Sequence, residues 1–167
     1  MELYLLRHAI AVERGTAGYA DPKRPLTPEG IQKMKRIARG IKKLKIDFDL
    51  ILSSPYRRAK ETAQILVDEL NVKKKLKFSD QLIPEGSFKK LALELKAFFE
   101  VYENIVLVGH EPFLSQFMSK LITGKNDFTV ELKKGGLAKL TLDKIAFGSG
   151  DVIINWLLTP YQLMLIR

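Results

Sequence analysis

The 167-residue chain contains no cysteine and only two histidines, His8 and His110. The absence of cysteine excludes a disulfide scaffold, a cysteine nucleophile and a thiolate metal site. A zinc ion would need carboxylates to complete its ligands, because the two histidines do not form a His-x-x-x-His pair. The sequence therefore gives no support for a metal centre.

Long apolar runs are also missing. No stretch approaches the ~18 consecutive apolar residues that mark a membrane-spanning helix. We do not expect the first apolar run to be a secretory signal, because Arg7 interrupts it too early for such a segment. We therefore expect a cytoplasmic protein that does not enter a membrane.

Acidic residues are few relative to basic ones, with 19 Asp+Glu against 28 Lys+Arg and a net charge of +9. Such a surplus keeps a surface soluble and can also attract phosphorylated or nucleic-acid partners. Because basic composition alone is a weak sign of nucleic-acid binding, we do not expect a nucleic-acid partner. A non-enzymatic binder of anions or nucleic acid is the weakest of three functional interpretations.

The apolar residues that are present alternate between strand-like runs and helix-like spacings along the whole chain. Strands are predicted at residues 3–6, 49–54, 76–78, 104–110, 137–142 and 152–158, and helices at residues 28 to 43–45, 55–71, 87–102 and 111–122. This order predicts a three-layer α/β fold with a mainly parallel sheet and an antiparallel pair of strands at one edge. The length favours a single domain, residues 1–167.

Unusual polar groups follow three of these strands, at the point where a helix is about to begin. Arg7 and His8 end the first strand, Arg57 and Arg58 follow the second, and His110 ends the fourth. Because the carboxyl ends of parallel strands meet at one edge of a sheet, we expect these side chains to converge there. Guanidinium groups match phosphate oxygens, and helix N-termini add amide donors. The pattern predicts a phosphate site.

Three sequence segments carry a family resemblance: residues 6–9 (LRHA), 54–63 (SPYRRAKETA) and 108–112 (VGHEP). Together they resemble the three signatures of the histidine phosphatase superfamily, and residues 26–30 (LTPEG) resemble its recurring helix entry. The short chain and the Arg-His-Ala variant are most similar to the SixA-type phosphohistidine phosphatases. The resemblance implies a phosphoglycerate mutase-like form of the predicted α/β sandwich.

The resemblance also implies a role for each matching residue. His8 is implied as the nucleophile that takes the phosphoryl group, and His110 as the second catalytic histidine of the pocket. Arg7 and Arg58 are implied as phosphate-binding residues. Arg58 matches the family spacing, whereas Arg57 is expected to be exposed or aimed at the substrate. The family needs no metal and no cofactor.

The predicted function is therefore a metal-independent phosphatase that acts through a phosphohistidine intermediate, with a phosphohistidine protein as the favoured substrate. The alternative is a small-molecule phosphomonoesterase that uses Glu85 as a general acid, because alkoxide leaving groups need a proton and imidazole needs less help. The expected partner is thus a phosphorylated protein or a small phosphate ester. We expect the protein itself to be a monomer.

Overall fold

A computed structural model describes residues 1–72 and 75–166, and within these ranges a six-stranded sheet forms the middle layer. The strands are β1 (Glu2–Arg7), β2 (Leu50–Ser53), β3 (Leu76–Phe78), β4 (Asn104–Gly109), β5 (Leu137–Leu142) and β6 (Val152–Leu158). Their spatial order is β3-β2-β4-β1-β5-β6. The strands β1 to β4 are parallel, whereas β5 pairs antiparallel with both β1 and β6. The predicted antiparallel edge is confirmed.

Helices cover both faces of this sheet. They are α1 (Pro28–Lys43), α2 (Arg57–Leu70), α3 (Phe88–Phe98), α4 (Phe113–Thr123) and α5 (Pro160–Leu165). One buried apolar cluster joins α1, α2 and α5 to the sheet, and a second joins α3 and α4 to its other face. The predicted three-layer α/β sandwich is therefore confirmed. None of the helices in the described ranges is long and apolar enough to cross a membrane.

The first strand shows why a continuous apolar run suits the centre of such a sheet. Leu3 and Leu5 belong to one apolar cluster, whereas Tyr4 and Leu6 belong to the other. Alternate side chains of a strand point to opposite faces, so a strand covered on both sides needs apolar residues at every position. All four side chains are at most 2% exposed. The apolar run ends at Arg7, where the side chains of the strand are no longer covered by helices.

Each of the four predicted helices begins within two residues of its predicted first residue. Thr27 caps α1, because its hydroxyl accepts a hydrogen bond from the Gly30 amide at 3.0 Å. We expected α2 to begin at Pro55, but it begins at Arg57. The Ser54 hydroxyl accepts from the Tyr56 amide at 3.3 Å, and this turn keeps Tyr56 extended before the helix.

Two further helix boundaries also differ from the expectation. The helix predicted to open at residues 111–112 begins at Phe113, one residue after Pro112. The helix predicted to reach residue 102 ends at Phe98. At that end the Phe99 amide donates a hydrogen bond to the carbonyl of Lys96, three residues earlier in the chain. A tighter turn of this kind is common at the end of an α-helix.

Candidate active site

The carboxyl ends of β1, β2 and β4 open into a cleft of about 320 Å³. Arg7, His8, Arg58 and His110 all line this cleft. β1 and β4 are adjacent, with Arg7 opposite Gly109, so the two strand-end histidines come within reach of each other. Their ring centroids are 5.0 Å apart. The structure thus brings together the four residues that the sequence singled out.

His8 is held in a defined orientation and tautomer. Its Nδ1 lies 2.8 Å from the Ala9 carbonyl oxygen. Because a carbonyl can only accept, Nδ1 donates its proton to this bond, and in the neutral ring Nε2 keeps its lone pair. Arg58 Nε donates to that lone pair over 3.3 Å, a long hydrogen bond. Nε2 is therefore the ring nitrogen of His8 that carries the lone pair, and it faces the guanidinium group of Arg58.

Both imidazoles are neutral at neutral pH. Burial lowers the pKa of His8 from 6.5 to about 3, and the charges of Arg58 and Arg7 act in the same direction. The hydrogen bond to the Ala9 carbonyl opposes this shift only in part. Burial also lowers the pKa of His110 far below its ordinary value, with smaller contributions from His8 and Arg58. A neutral imidazole is the form that can attack phosphorus.

Arg58 is the most deeply buried charge of the cleft, at 2% exposure. Its Nη1 donates to the Asp21 carbonyl at 2.8 Å, and its Nη2 lies 3.3 Å from the Asp21 carboxylate. Arg57, by contrast, is exposed and pairs with Glu61 at 2.7 Å on the same helix. Of the two adjacent arginines, the structure therefore places Arg58 in the lining of the cleft. The sequence did not single out Asp21; the only sign was the unusual length of the loop at residues 10–25.

Arg7 fastens a second loop to the cleft. Its Nη1 donates to the carbonyl of Leu132 at 2.9 Å. Its backbone carbonyl accepts from the Gly135 amide at 3.0 Å, and its amide donates to the Gly136 carbonyl at 3.2 Å. Leu132 itself is fully buried. The sequence analysis assigned no role to the residues between the fourth predicted helix and the fifth predicted strand, so it did not predict this anchoring of the loop.

His110 has an equally defined neighbourhood. Its Nε2 lies 2.8 Å from the Ser54 hydroxyl, and the ring of Tyr56 meets it edge-on at 5.4 Å. Among the described residues, its buried Nδ1 has no hydrogen-bond partner. If the Ser54 hydroxyl donates to Nε2, the Nδ1 proton remains available for a ligand. Ser54 is thus a residue of the site that sequence reasoning did not assign.

Glu85 and Glu111, two of the carboxylates near the cleft, are not equivalent. Glu85 is exposed, and its Oε2 accepts a hydrogen bond from the Tyr56 hydroxyl at 3.2 Å, while the neighbouring Pro84 lines the cleft. Glu111 lines the cleft and accepts from the Ser115 hydroxyl at 2.6 Å. Burial raises the pKa of Glu111. Within the described ranges, no three His, Asp or Glu side chains form a metal-binding group.

The buried histidines predict a loss of stability in mild acid. Between the ordinary pKa of 6.5 and about 3, the unfolded chain binds a proton at position 8 that the folded protein excludes. The stability present above pH 6.5 should therefore fall as the pH drops, by up to ~1.4 kcal/mol per pH unit for each histidine. Urea unfolding from pH 7 to 4 measures this slope.

A variant without one imidazole provides the control for that slope. His110→Gln should show a shallower decline between pH 6.5 and 4, because one titrating group is gone. The depressed pKa of Asp21 acts below its ordinary value of 3.8, outside this range. Identical slopes for the variant and the parent would contradict the prediction.

Comparison with known proteins gives consistent matches. The model of the histidine phosphatase superfamily (branch 1) matches residues 3–83, which include Arg7, His8 and Arg58. An uncharacterized protein of Picosynechococcus sp. is 36% identical over 143 residues, 84% of each chain. Phosphohistidine phosphatase SixA of Escherichia coli is 26% identical over 170 residues, covering 100% of this chain and 99% of that protein.

The fold is also shared with a solved structure. The protein histidine phosphatase SixA complexed with tungstate superposes with a TM-score of 0.84 and 26% identity. The superposition covers 98% of this chain and 99% of the other. The similarity therefore extends over both faces of the sheet and includes the strand ends that form the cleft.

Proposed function

Because the chain belongs to the histidine phosphatase superfamily and is a phosphatase, we propose that it removes phosphoryl groups from phosphohistidine side chains of proteins, with His8 as the nucleophile. The observation that carries the proposal is the fixed tautomer of His8. The Ala9 carbonyl accepts a hydrogen bond from Nδ1 over 2.8 Å, so the Nε2 lone pair faces the guanidinium group of Arg58. The low pKa of His8 keeps that lone pair unprotonated.

The reaction proceeds in two displacements. In the first, the bond between phosphorus and the substrate's imidazole nitrogen breaks while a bond to His8 Nε2 forms. The substrate's ring carries a proton on its other nitrogen, so it takes up the electron pair of the broken bond and leaves as neutral imidazole. In the second, water attacks the phosphorus, the bond to Nε2 breaks, and inorganic phosphate departs with a proton released to solvent. Covalent catalysis of this kind divides one difficult step into two easier ones.

The remaining cleft residues bind the group in transit. Phosphoryl transfer depends mainly on positioning and on stabilisation of charge on the peripheral oxygens. The guanidinium groups of Arg7 and Arg58 supply that charge, and Arg58 exchanges its long bond to His8 for one to a phosphoryl oxygen. With the Ser54 hydroxyl donating to Nε2 of His110, the unpartnered Nδ1 of that ring is a further donor suited to those oxygens. No metal is required for these roles.

The leaving group favours a phosphohistidine substrate over an alkyl phosphate. An alkoxide needs a general acid, and Glu85 was the sequence's candidate for this role. Its carboxylate is exposed and engaged by the Tyr56 hydroxyl. An imidazole leaves with less assistance, so a site in which the Glu85 carboxylate is exposed and hydrogen-bonded to Tyr56 suits it better. The Escherichia coli relative is itself named a phosphohistidine phosphatase.

Replacing Glu85 separates the two substrate classes. We expect Glu85→Gln to change kcat/KM for a phosphohistidine peptide by less than about twofold, because loss of a general acid costs ~10²–10⁴-fold only where an acid is needed. Tyr56→Phe, which removes the hydrogen-bond partner of Glu85, is the matched control. The same variant is also assayed on a sugar phosphate, and a loss of about 10² or more with that substrate would favour the phosphomonoesterase.

The substrate class itself is tested by direct comparison. The parent protein is assayed for phosphate release from a phosphohistidine peptide, a phosphoserine peptide and a sugar phosphate at equal concentrations. We expect kcat/KM to be highest for the phosphohistidine peptide. A higher kcat/KM for either oxygen ester would overturn the assignment of substrate while leaving the phosphatase activity intact.

A further inference from the structure

A second groove opens directly beside the phosphoryl-binding cleft. It has a volume of about 380 Å³ and an apolar floor formed by Ile10 and Pro160. Lys33, Lys133 and Lys134 also line it, and we call it the lysine groove. Arg7 and Lys134 line both this groove and the cleft, so the two spaces share a wall.

The charges of the lysine groove are poorly neutralised. Its one acidic lining residue is Glu131, whose carboxylate lies 3.6 Å from the ammonium of Lys133. Within the described ranges, neither Lys33 nor Lys134 has a carboxylate oxygen within 4.0 Å. Lys134 is also close enough to His8 to contribute to the lowering of its pKa. The groove therefore presents uncompensated positive charge next to the reacting centre.

The lysines stand on a fixed support. The loop that carries Lys133 and Lys134 is tied to the end of β1 by the hydrogen bond from Gly135 to the Arg7 carbonyl. Gly135 has a φ of +81°, and an added Cβ would lie 2.7 Å from Ile37. On the other wall, Gly30 of α1 packs so tightly that a Cβ there would overlap the Ile10 carbonyl. The groove is thus preformed.

We propose that the lysine groove binds acidic side chains flanking the phosphorylated histidine of a protein substrate. This inference rests on the proposed function. When the phosphoryl group of a protein substrate lies against Arg7, the residues next to the phosphorylated histidine lie along the shared wall. In an extended chain they are spaced at ~3.3 Å per residue. Carboxylates at those positions complement Lys33 and Lys134, and the apolar floor accommodates their aliphatic stems. The occupant is therefore the substrate's own chain.

Two phosphohistidine peptides that differ only in having glutamate or glutamine flanks test this inference. We expect the parent protein to prefer the glutamate peptide by about fivefold in kcat/KM at low ionic strength, and less as salt rises. In Lys33→Glu the ratio of the two kcat/KM values should fall to about one or below. Lys134→Gln should lower the ratio as well, and it remains informative if Lys33→Glu does not fold.

A distant lysine provides the matched control. Lys96 is an exposed residue of α3, on the other face of the sheet, and Lys96→Glu changes the net charge by the same amount. In Lys96→Glu, we expect the ratio of kcat/KM for the glutamate peptide to kcat/KM for the glutamine peptide to equal that of the parent. An equal fall in Lys96→Glu, or a parent that does not distinguish the peptides, would overturn the inference. Failure to hydrolyse either peptide, with a phosphate ester still hydrolysed, would instead overturn the proposed substrate.

Discussion

His8→Ala is expected to abolish the covalent phosphoenzyme and to lower kcat/KM by about 10⁴-fold or more. The size of the effect follows from the geometry. Among the described residues, Nε2 of His8 is the imidazole nitrogen that accepts a hydrogen bond from Arg58, at 3.3 Å. Because the bond to the Ala9 carbonyl selects the tautomer, no other nitrogen of the cleft is prepared in the same way.

The measurement is a brief incubation with a labelled phosphoryl donor, followed by an acid quench or an alkaline quench. A phosphoryl group on imidazole survives alkali and is lost in acid, which separates it from a phosphate ester. The chain has only two histidines, so the site of labelling is decided by two variants. His8→Ala should carry no label.

His110→Gln is the matched control for that experiment. It removes the other buried imidazole but leaves the His8 tautomer and its Arg58 contact in place. We expect an alkali-stable label in this variant, formed and lost more slowly than in the parent. Label retained in His8→Ala and absent from His110→Gln would reverse the two roles and overturn the proposed mechanism.

Strand-end residues could be predicted because their signal is local. A run such as Ile105 to Val108 is apolar at every position since both faces of β4 are covered. The polar residue after such a run must therefore lie at the sheet edge, and parallel strands bring these edges together. That argument placed His8 and His110 in one cleft without knowledge of the strand order.

The loop residues of the cleft could not be predicted in this way. Asp21 contributes through a backbone carbonyl as well as a carboxylate, and Leu132 through its carbonyl alone. Every residue has a carbonyl, so the sequence does not mark the one that an arginine will use. Such contacts depend on where two loops meet in space. The positions of Arg7 and Arg58 could therefore be predicted from the sequence, but the loop groups that orient their side chains could not.

Arg58→Lys is expected to lower kcat/KM by about 10²–10³-fold, although the charge is kept. The guanidinium makes three contacts at once, to His8 Nε2, to the Asp21 carbonyl and to the Asp21 carboxylate. An ammonium group cannot reproduce this planar fork. The lost buried hydrogen bonds should also reduce the free energy of unfolding by about 1–3 kcal/mol.

Arg57→Lys, the same substitution at the neighbouring position, is the control for a general effect of replacing arginine by lysine on this helix. Its side chain is exposed and makes one surface ion pair with Glu61, so stability should change by less than ~0.5 kcal/mol and kcat/KM by less than about twofold. Steady-state kinetics and urea unfolding are measured on both variants. If Arg58→Lys retained nearly full activity, charge alone would suffice in the cleft. The geometry of the Arg58 guanidinium, which Asp21 orients toward His8, would then contribute nothing to catalysis.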